Sequence, residues 1–157
     1  MKFSSQEEYG LRCLLQIARL GPDGSMTIPE ISRAENMAQT HVAKILMILR
    51  KSDFVTSTRG QLGGYTLKRP ADQINVGEVL NALGGRLYDD AFCNKHGGAN
   101  EICSHAIDCS VRSLWQVIQS SVDSVLDKIS ISDLLKEDTQ VSNVRFMSAP
   151  RPRAGIS

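Results

Sequence analysis

A glycine-rich turn at residues 59–64 separates two short segments, 54–57 and 65–67, in which side chains alternate in character. Alternation of this kind predicts β-strands, and glycine adopts the positive φ angles that a tight hairpin turn needs. The hairpin follows directly on an apolar stripe with the spacing of one helix face, formed by Val42, Ile45, Leu46 and Leu49. The sequence therefore predicts a helix at residues 38–52 followed by a two-stranded wing.

Two further helices are predicted before this one. Ser5 and Glu8 have the spacing of a capping box and precede an apolar pattern, so a first helix is expected at about residues 6–20. Thr27 and Glu30 repeat the spacing and open a short second helix, which ends at the polar pair Glu35 and Asn36. Two helices joined by so short a turn form a helix-turn-helix. The predicted fold class is mostly α with a small β wing.

The charge distribution favours a nucleic-acid partner for this half of the chain. Residues 1–70 contain ten Lys and Arg against six Asp and Glu, whereas residues 71–157 contain eight against eleven. A basic surface of this kind is expected where a protein meets phosphates. For double-stranded DNA, the candidates are Gln39, Thr40 and His41 in the major groove, Lys44 at a phosphate or base, and Arg59 in the minor groove.

Three cysteines, Cys93, Cys103 and Cys109, follow with the spacing C-x9-C-x5-C. Charged residues near the N-terminus interrupt any signal peptide or membrane span, so a cytoplasmic protein is predicted, in which clustered thiols bind metal or do redox chemistry more often than they form disulfides. Iron and zinc both suit thiolates, and for zinc His96 or His105 would complete a Cys3His set. Cys13 is predicted to be a small buried hydrophobe.

From Val111 onward, apolar residues recur every three or four positions through Ile129, which predicts a long amphipathic helix. No later segment has a matching stripe, so the same helix of a second copy is the expected partner, with packing on the chain's own winged helix as the alternative. A two-fold dimer predicts a palindromic operator. The predicted organisation is a DNA-binding domain at residues 1–84, a cysteine-bearing loop at 85–110, dimerisation and short following helices at 111–135, and a disordered tail at 136–157.

The order of these elements, with the motifs at residues 57–67, 69–71 and 74–79, resembles the IscR/NsrR/RirA family of winged-helix regulators over residues 1–135. The resemblance implies that the three cysteines hold a [2Fe-2S] or [4Fe-4S] cluster with a weaker nitrogen or oxygen donor as fourth ligand. The nine-residue gap is longer than in the best-known members, and Arg112 stands where some members have a ligating histidine. Other members use an acidic residue near the N-terminus. Glu8 matches that position, with Glu7, His96 and His105 as substitutes.

The sequence thus predicts a homodimeric transcriptional regulator, usually a repressor, whose DNA affinity depends on an iron-sulfur cluster. A cluster-free regulator with zinc or redox thiols is the alternative. An enzyme using Cys103 with His105 or His96 is a third possibility, but the sequence has no recognisable oxyanion site, substrate pocket or orienting acid. No catalytic residue, small-molecule substrate or membrane association is therefore expected.

Overall fold

The computed structural model describes residues 4–60, 63–88 and 110–136. In chain order the elements are α1 (Ser5–Ala18), α2 (Ile28–Glu35), α3 (Gln39–Lys51), β1 (Val55–Thr58), β2 (Gly64–Leu67), a short 3-10 helix (Ala71–Gln73), α4 (Val76–Gly84), α5 (Ser110–Leu126) and α6 (Ile131–Leu135). The predicted class, mostly α with a small β wing, is confirmed. Of the predicted cysteine loop, only residues 85–88 and 110 are described, and of the predicted tail only residue 136.

The first helix is capped one residue earlier than the sequence predicts. The Ser4 hydroxyl accepts a hydrogen bond from the Glu7 amide at 3.3 Å, and the Glu7 carboxylate accepts one from the Ser4 amide at 2.6 Å. The predicted capping box of Ser5 with Glu8 is therefore wrong. The helix also ends at Ala18, before the predicted residue 20.

The second and third helices follow the prediction closely. Thr27 and Glu30 form a capping box, and hydrogen bonds from Thr27 lower the pKa of the Glu30 carboxyl. Asn36 ends α2 in the left-handed conformation at φ 52°, which asparagine tolerates better than most residues. The predicted stripe of α3 is buried: Val42, Ile45, Leu46 and Leu49.

The wing is an antiparallel hairpin of β1 and β2, in which Val55 pairs with Leu67 and Thr58 with Gly64. Its second strand also pairs with the segment before α2, since the amide of Met26 donates to the Tyr65 carbonyl at 3.0 Å and the Tyr65 amide donates back at 2.9 Å. The wing is thus joined by backbone hydrogen bonds to the helix-turn-helix as well as following it in sequence.

One core joins α1–α4 to the end of the described chain. Its buried residues include Leu14, Ile31, Val79, Ile129 and Ile131. The chain returns to the core at residues 129–131, where the amide of Val76 donates to the carbonyl of Ile129 and the amide of Ile131 donates to that of Ile74, both at 2.9 Å. The C-terminal end of α5 is therefore held against the start of α4.

The apolar stripe of α5 meets the core of its own chain only in its second half, where Val125 and Leu126 pack against buried residues. Gln119 is buried, and its side-chain oxygen accepts a hydrogen bond from the Tyr88 amide at 2.9 Å. Several large apolar residues of its first half are exposed: Val111, Leu114, Trp115 and Val117. Among the described residues, no helix is both long and apolar enough to cross a membrane.

Candidate nucleic-acid interface and cluster ligands

The side of α3 that faces away from the core is polar and basic. Because successive helix residues are rotated by about 100°, the positions outside the buried stripe fall on one side of α3. We call this side the recognition face; it consists of Gln39, Thr40, Ala43, Lys44, Met47, Arg50 and Lys51. All of these residues are exposed except Ala43, which is half-buried. The structure thus brings three of the predicted DNA contacts, Gln39, Thr40 and Lys44, onto one accessible surface.

Carboxylates neutralise two basic side chains near the wing but not the basic side chains of the recognition face. Lys68 pairs with Asp53 at 2.5 Å, and Arg69 pairs with Glu78 at 3.0 Å while lying over the ring of Phe54. In the part of the chain that the structure describes, no carboxylate pairs with the basic residues of the recognition face or with Arg59. Their charge remains available to phosphates.

Arg59, the predicted minor-groove residue, is exposed at the tip of the wing, next to Gly60, which adopts a φ of 122°. The wing is also tied to α3 by a long hydrogen bond of 3.4 Å from Arg50 to the Ser57 hydroxyl. The tip and the recognition face therefore belong to adjoining elements with a direct side-chain contact between them.

His41, predicted to face the groove, is half-buried and contacts α1. Its ring meets that of Tyr9 edge-on, with 5.4 Å between centroids. The guanidinium of Arg12 lies 5.7 Å from the centre of the same tyrosine ring. Arg12 in turn pairs with the buried carboxylate of Glu35 at 2.5 Å, and this hydrogen bond raises the pKa of the guanidinium. The first helix thus supports both helices of the helix-turn-helix.

Glu8 and Glu7, the acidic ligand candidates, have different surroundings. The Glu7 carboxylate is committed to the helix cap and packs against Gly84 at the end of α4. Glu8 is exposed one residue further along, and within the described residues its carboxylate accepts no hydrogen bond and forms no ion pair. Of the two, Glu8 has the carboxylate that the helix cap does not use, and its charge acts on the guanidinium of Arg12 one turn further along.

The predicted thiol ligands Cys93, Cys103 and Cys109 lie outside the described residues, as do His96 and His105. Elsewhere, over residues 4–60, 63–88 and 110–136, no three histidine, cysteine or acidic side chains come close enough to hold a metal ion. Cys13 is fully buried in the core, and burial raises the pKa of its thiol to about 12, with the nearby charge of Glu35 adding to the effect. It is therefore the small buried hydrophobe that the sequence predicts.

Comparison with known proteins settles the family. The Rrf2 family model, described as "Iron-dependent Transcriptional regulator", matches residues 3–137. The chain belongs to the Rrf2 family. It is accordingly a DNA-binding transcriptional regulator of the IscR type, and the resemblance stated from the sequence is confirmed.

Relatives and solved structures cover most of this Rrf2 chain. It is 31% identical over 151 residues to the HTH-type transcriptional regulator IscR of Aliivibrio salmonicida, covering 95% of this chain and 87% of that one. The structure of T. potens IscR superimposes with a TM-score of 0.68 at 26% identity, covering 87% of each chain. CymR, the global cysteine regulator of B. subtilis, superimposes with a TM-score of 0.64, also at 26% identity, covering 86% of this chain and 96% of that one.

Four members of the recognition face were not among the predicted DNA contacts: Ala43, Met47, Arg50 and Lys51. Ala43 and Met47 are apolar, so neither carries the charge or hydrogen-bonding group by which the candidates were chosen. Their helical spacing relative to Thr40 and Lys44 would have placed them on the same face. The contact of His41 with Tyr9 joins residues 32 positions apart, and no local signal in the sequence indicates it.

Proposed function

We propose that this Rrf2-family protein is a homodimeric repressor whose binding to a palindromic operator is controlled by an iron-sulfur cluster. In this proposal Gln39, Thr40, His41, Lys44 and Arg59 contact double-stranded DNA. The single observation that supports DNA reading most strongly is the exposed recognition face, whose basic residues have no carboxylate partner in the described chain. The protein acts in the cytoplasm without enzymatic activity.

Cys93, Cys103, Cys109 and Glu8 are the proposed ligands of the cluster. Three thiolates suit iron, and a carboxylate is a harder and more easily displaced fourth donor. Glu8 meets the requirement for such a donor because its side chain is exposed and unpaired in the described residues. A cluster so bound would supply chemistry that responds to iron supply, redox state or nitric oxide.

The proposed coupling to DNA depends on the position of Cys109 directly before α5. Whatever Cys109 binds constrains the first turn of that helix, and the positive end of the helix dipole favours thiolate there. The exposed apolar residues of the first half of α5 support the pairing of two copies through this helix. A shift at the start of α5 would then change the relation between the two recognition helices.

The alternative is a cluster-free regulator in which zinc or redox thiols hold the cysteine segment. The similarity to CymR, a global cysteine regulator, keeps this alternative open because its description does not refer to iron, whereas the family description does. In such a protein the DNA-binding half would work in the same way. The two proposals differ only in what the three cysteines bind.

Anaerobic purification followed by metal analysis and visible spectroscopy distinguishes them. The proposal predicts coloured protein that contains iron and sulfide, whereas zinc is colourless. Affinity for a duplex selected from a randomised pool is then measured by fluorescence anisotropy at fixed salt, with and without removal of iron by a chelator. Iron-free protein, or equal affinity in both states, contradicts control by a cluster, and a monomer in sedimentation contradicts the dimer.

A further inference from the structure

Met47 is an exposed apolar side chain at the middle of a polar surface. It is 45% exposed, although the other long apolar residues of α3 are buried or half-buried in the core. Thr40 and Lys44 lie on the same face two turns and one turn before Met47, and Lys51 lies one turn after it. Ala43 precedes it by one turn, so two apolar groups form a small patch within the recognition face.

The charges around this patch indicate the chemistry of the partner that it binds. A single exposed methionine needs no explanation on an ordinary surface, but this one is ringed by Lys44, Arg50 and Lys51, which no described carboxylate neutralises. These three cations favour a partner that is anionic at its edges and carries an apolar group at its centre. The DNA major groove has this arrangement, since phosphates line its rims and the C5-methyl of thymine projects from its floor.

We propose that Met47, with Ala43 beside it, reads thymine methyl groups in the operator. The inference rests on the proposed placement of α3 in the major groove and adds a specificity determinant to it. The unbranched thioether side chain is flexible and polarisable, and it can therefore follow a methyl group whose position varies slightly between half-sites. Gln39, Thr40 and Lys44 would supply the hydrogen bonds and charge around this contact.

Deoxyuridine provides the test, because it differs from thymidine only by lacking the methyl group. A duplex selected from a randomised pool by the full-length protein is resynthesised with each thymine replaced in turn by deoxyuridine. For the wild-type protein, we expect at least one replacement in each half-site to weaken binding by about fourfold, the value of one buried methyl group. For Met47→Ala, the same replacement should have no effect.

Two variants serve as controls. Met47→Leu keeps an apolar side chain and should keep the methyl dependence, whereas Leu20→Ala removes an exposed apolar residue outside the recognition face and should leave the wild-type pattern unchanged. Wild-type binding that is insensitive to every replacement overturns the inference, as does a Met47→Ala variant with an undiminished penalty. Failure to select any duplex would instead overturn DNA reading by α3.

Discussion

The ring of Tyr9 meets the imidazole of His41 edge-on, with 5.4 Å between the ring centroids. Tyr9 follows Glu8 directly in α1, and His41 lies in the first turn of α3. A single side chain therefore connects the helix that carries the proposed fourth ligand to the helix that is proposed to read DNA. The contact gives α1 a role in orienting the recognition helix in addition to its share of the core.

Truncation of this contact should affect DNA binding. An edge-to-face aromatic pair contributes about 0.5–1.5 kcal/mol beyond the burial of its area. We expect Tyr9→Ala to weaken operator binding several-fold and Tyr9→Phe to retain it, because the contact uses the ring and not the hydroxyl. In a double-mutant cycle with His41→Ala, measured by anisotropy, the two effects should not add. Additive losses would mean that each residue acts alone.

Substitution of Glu8, with its neighbour Glu7 as the control, tests whether Glu8 is a ligand of the proposed cluster. Glu8→Ala should lower the iron content of anaerobically purified protein, or shorten the survival of its visible absorption in air, with an unchanged thermal midpoint. Glu7→Ala removes half of the capping box and should reduce the free energy of unfolding by about 1 kcal/mol without loss of iron. Iron content and oxygen stability that are unaffected in Glu8→Ala would eliminate this residue as a ligand.

A charge on the exposed apolar side of α5 should separate the two copies. Leu114 is 53% exposed, and Leu114→Lys would place an unpaired cation in the proposed interface. Sedimentation velocity at micromolar concentration should show a monomer for this variant. Gln116→Lys alters a neighbouring exposed polar position in the same helix and should leave the dimer intact. If both variants remained dimers, the dimer interface would lie on another surface of the protein.

Cys13 should differ from the three other cysteines in its reactivity. Its pKa of about 12 leaves almost no thiolate at pH 8, and its side chain is fully buried. In native iron-free protein, we expect iodoacetamide to modify the three predicted ligands while Cys13 stays unmodified until the protein unfolds, as measured by peptide mass spectrometry. Rapid native alkylation of Cys13 would mean that the core around it opens readily.

The local patterns predicted the helix-turn-helix and the wing because caps, stripes and turns are encoded within a few neighbouring residues. Where two local patterns competed, the choice required tertiary contacts. Both Ser4 with Glu7 and Ser5 with Glu8 have the capping spacing, and contacts with the end of α4, through Gln6 and Glu7, accompany the first of them. The buried Gln119 likewise depends on a distant partner, the backbone amide of Tyr88.

The recognition surface was predictable in part. Gln39, Thr40 and Lys44 were identified by their chemistry, and the structure adds two basic and two apolar residues of the same face: Arg50, Lys51, Ala43 and Met47. The proposed cluster site rests on the spacing of the cysteines and the family resemblance alone, because its cysteines lie outside the described residues. Glu8 stays a proposed ligand; the structure shows that the neighbouring Glu7 forms the helix cap in its place.

The pairing of residues 74–76 with 129–131 fixes one end of α5. Gln119 and the ion pair of Arg86 with Asp123 attach the helix again part-way along its length. The nine residues from Ser110 to Ile118 continue the same helix for roughly 13 Å toward the last cysteine. Cys109 therefore stands at one end of a continuous helix whose other end is hydrogen-bonded to the DNA-binding half of the chain.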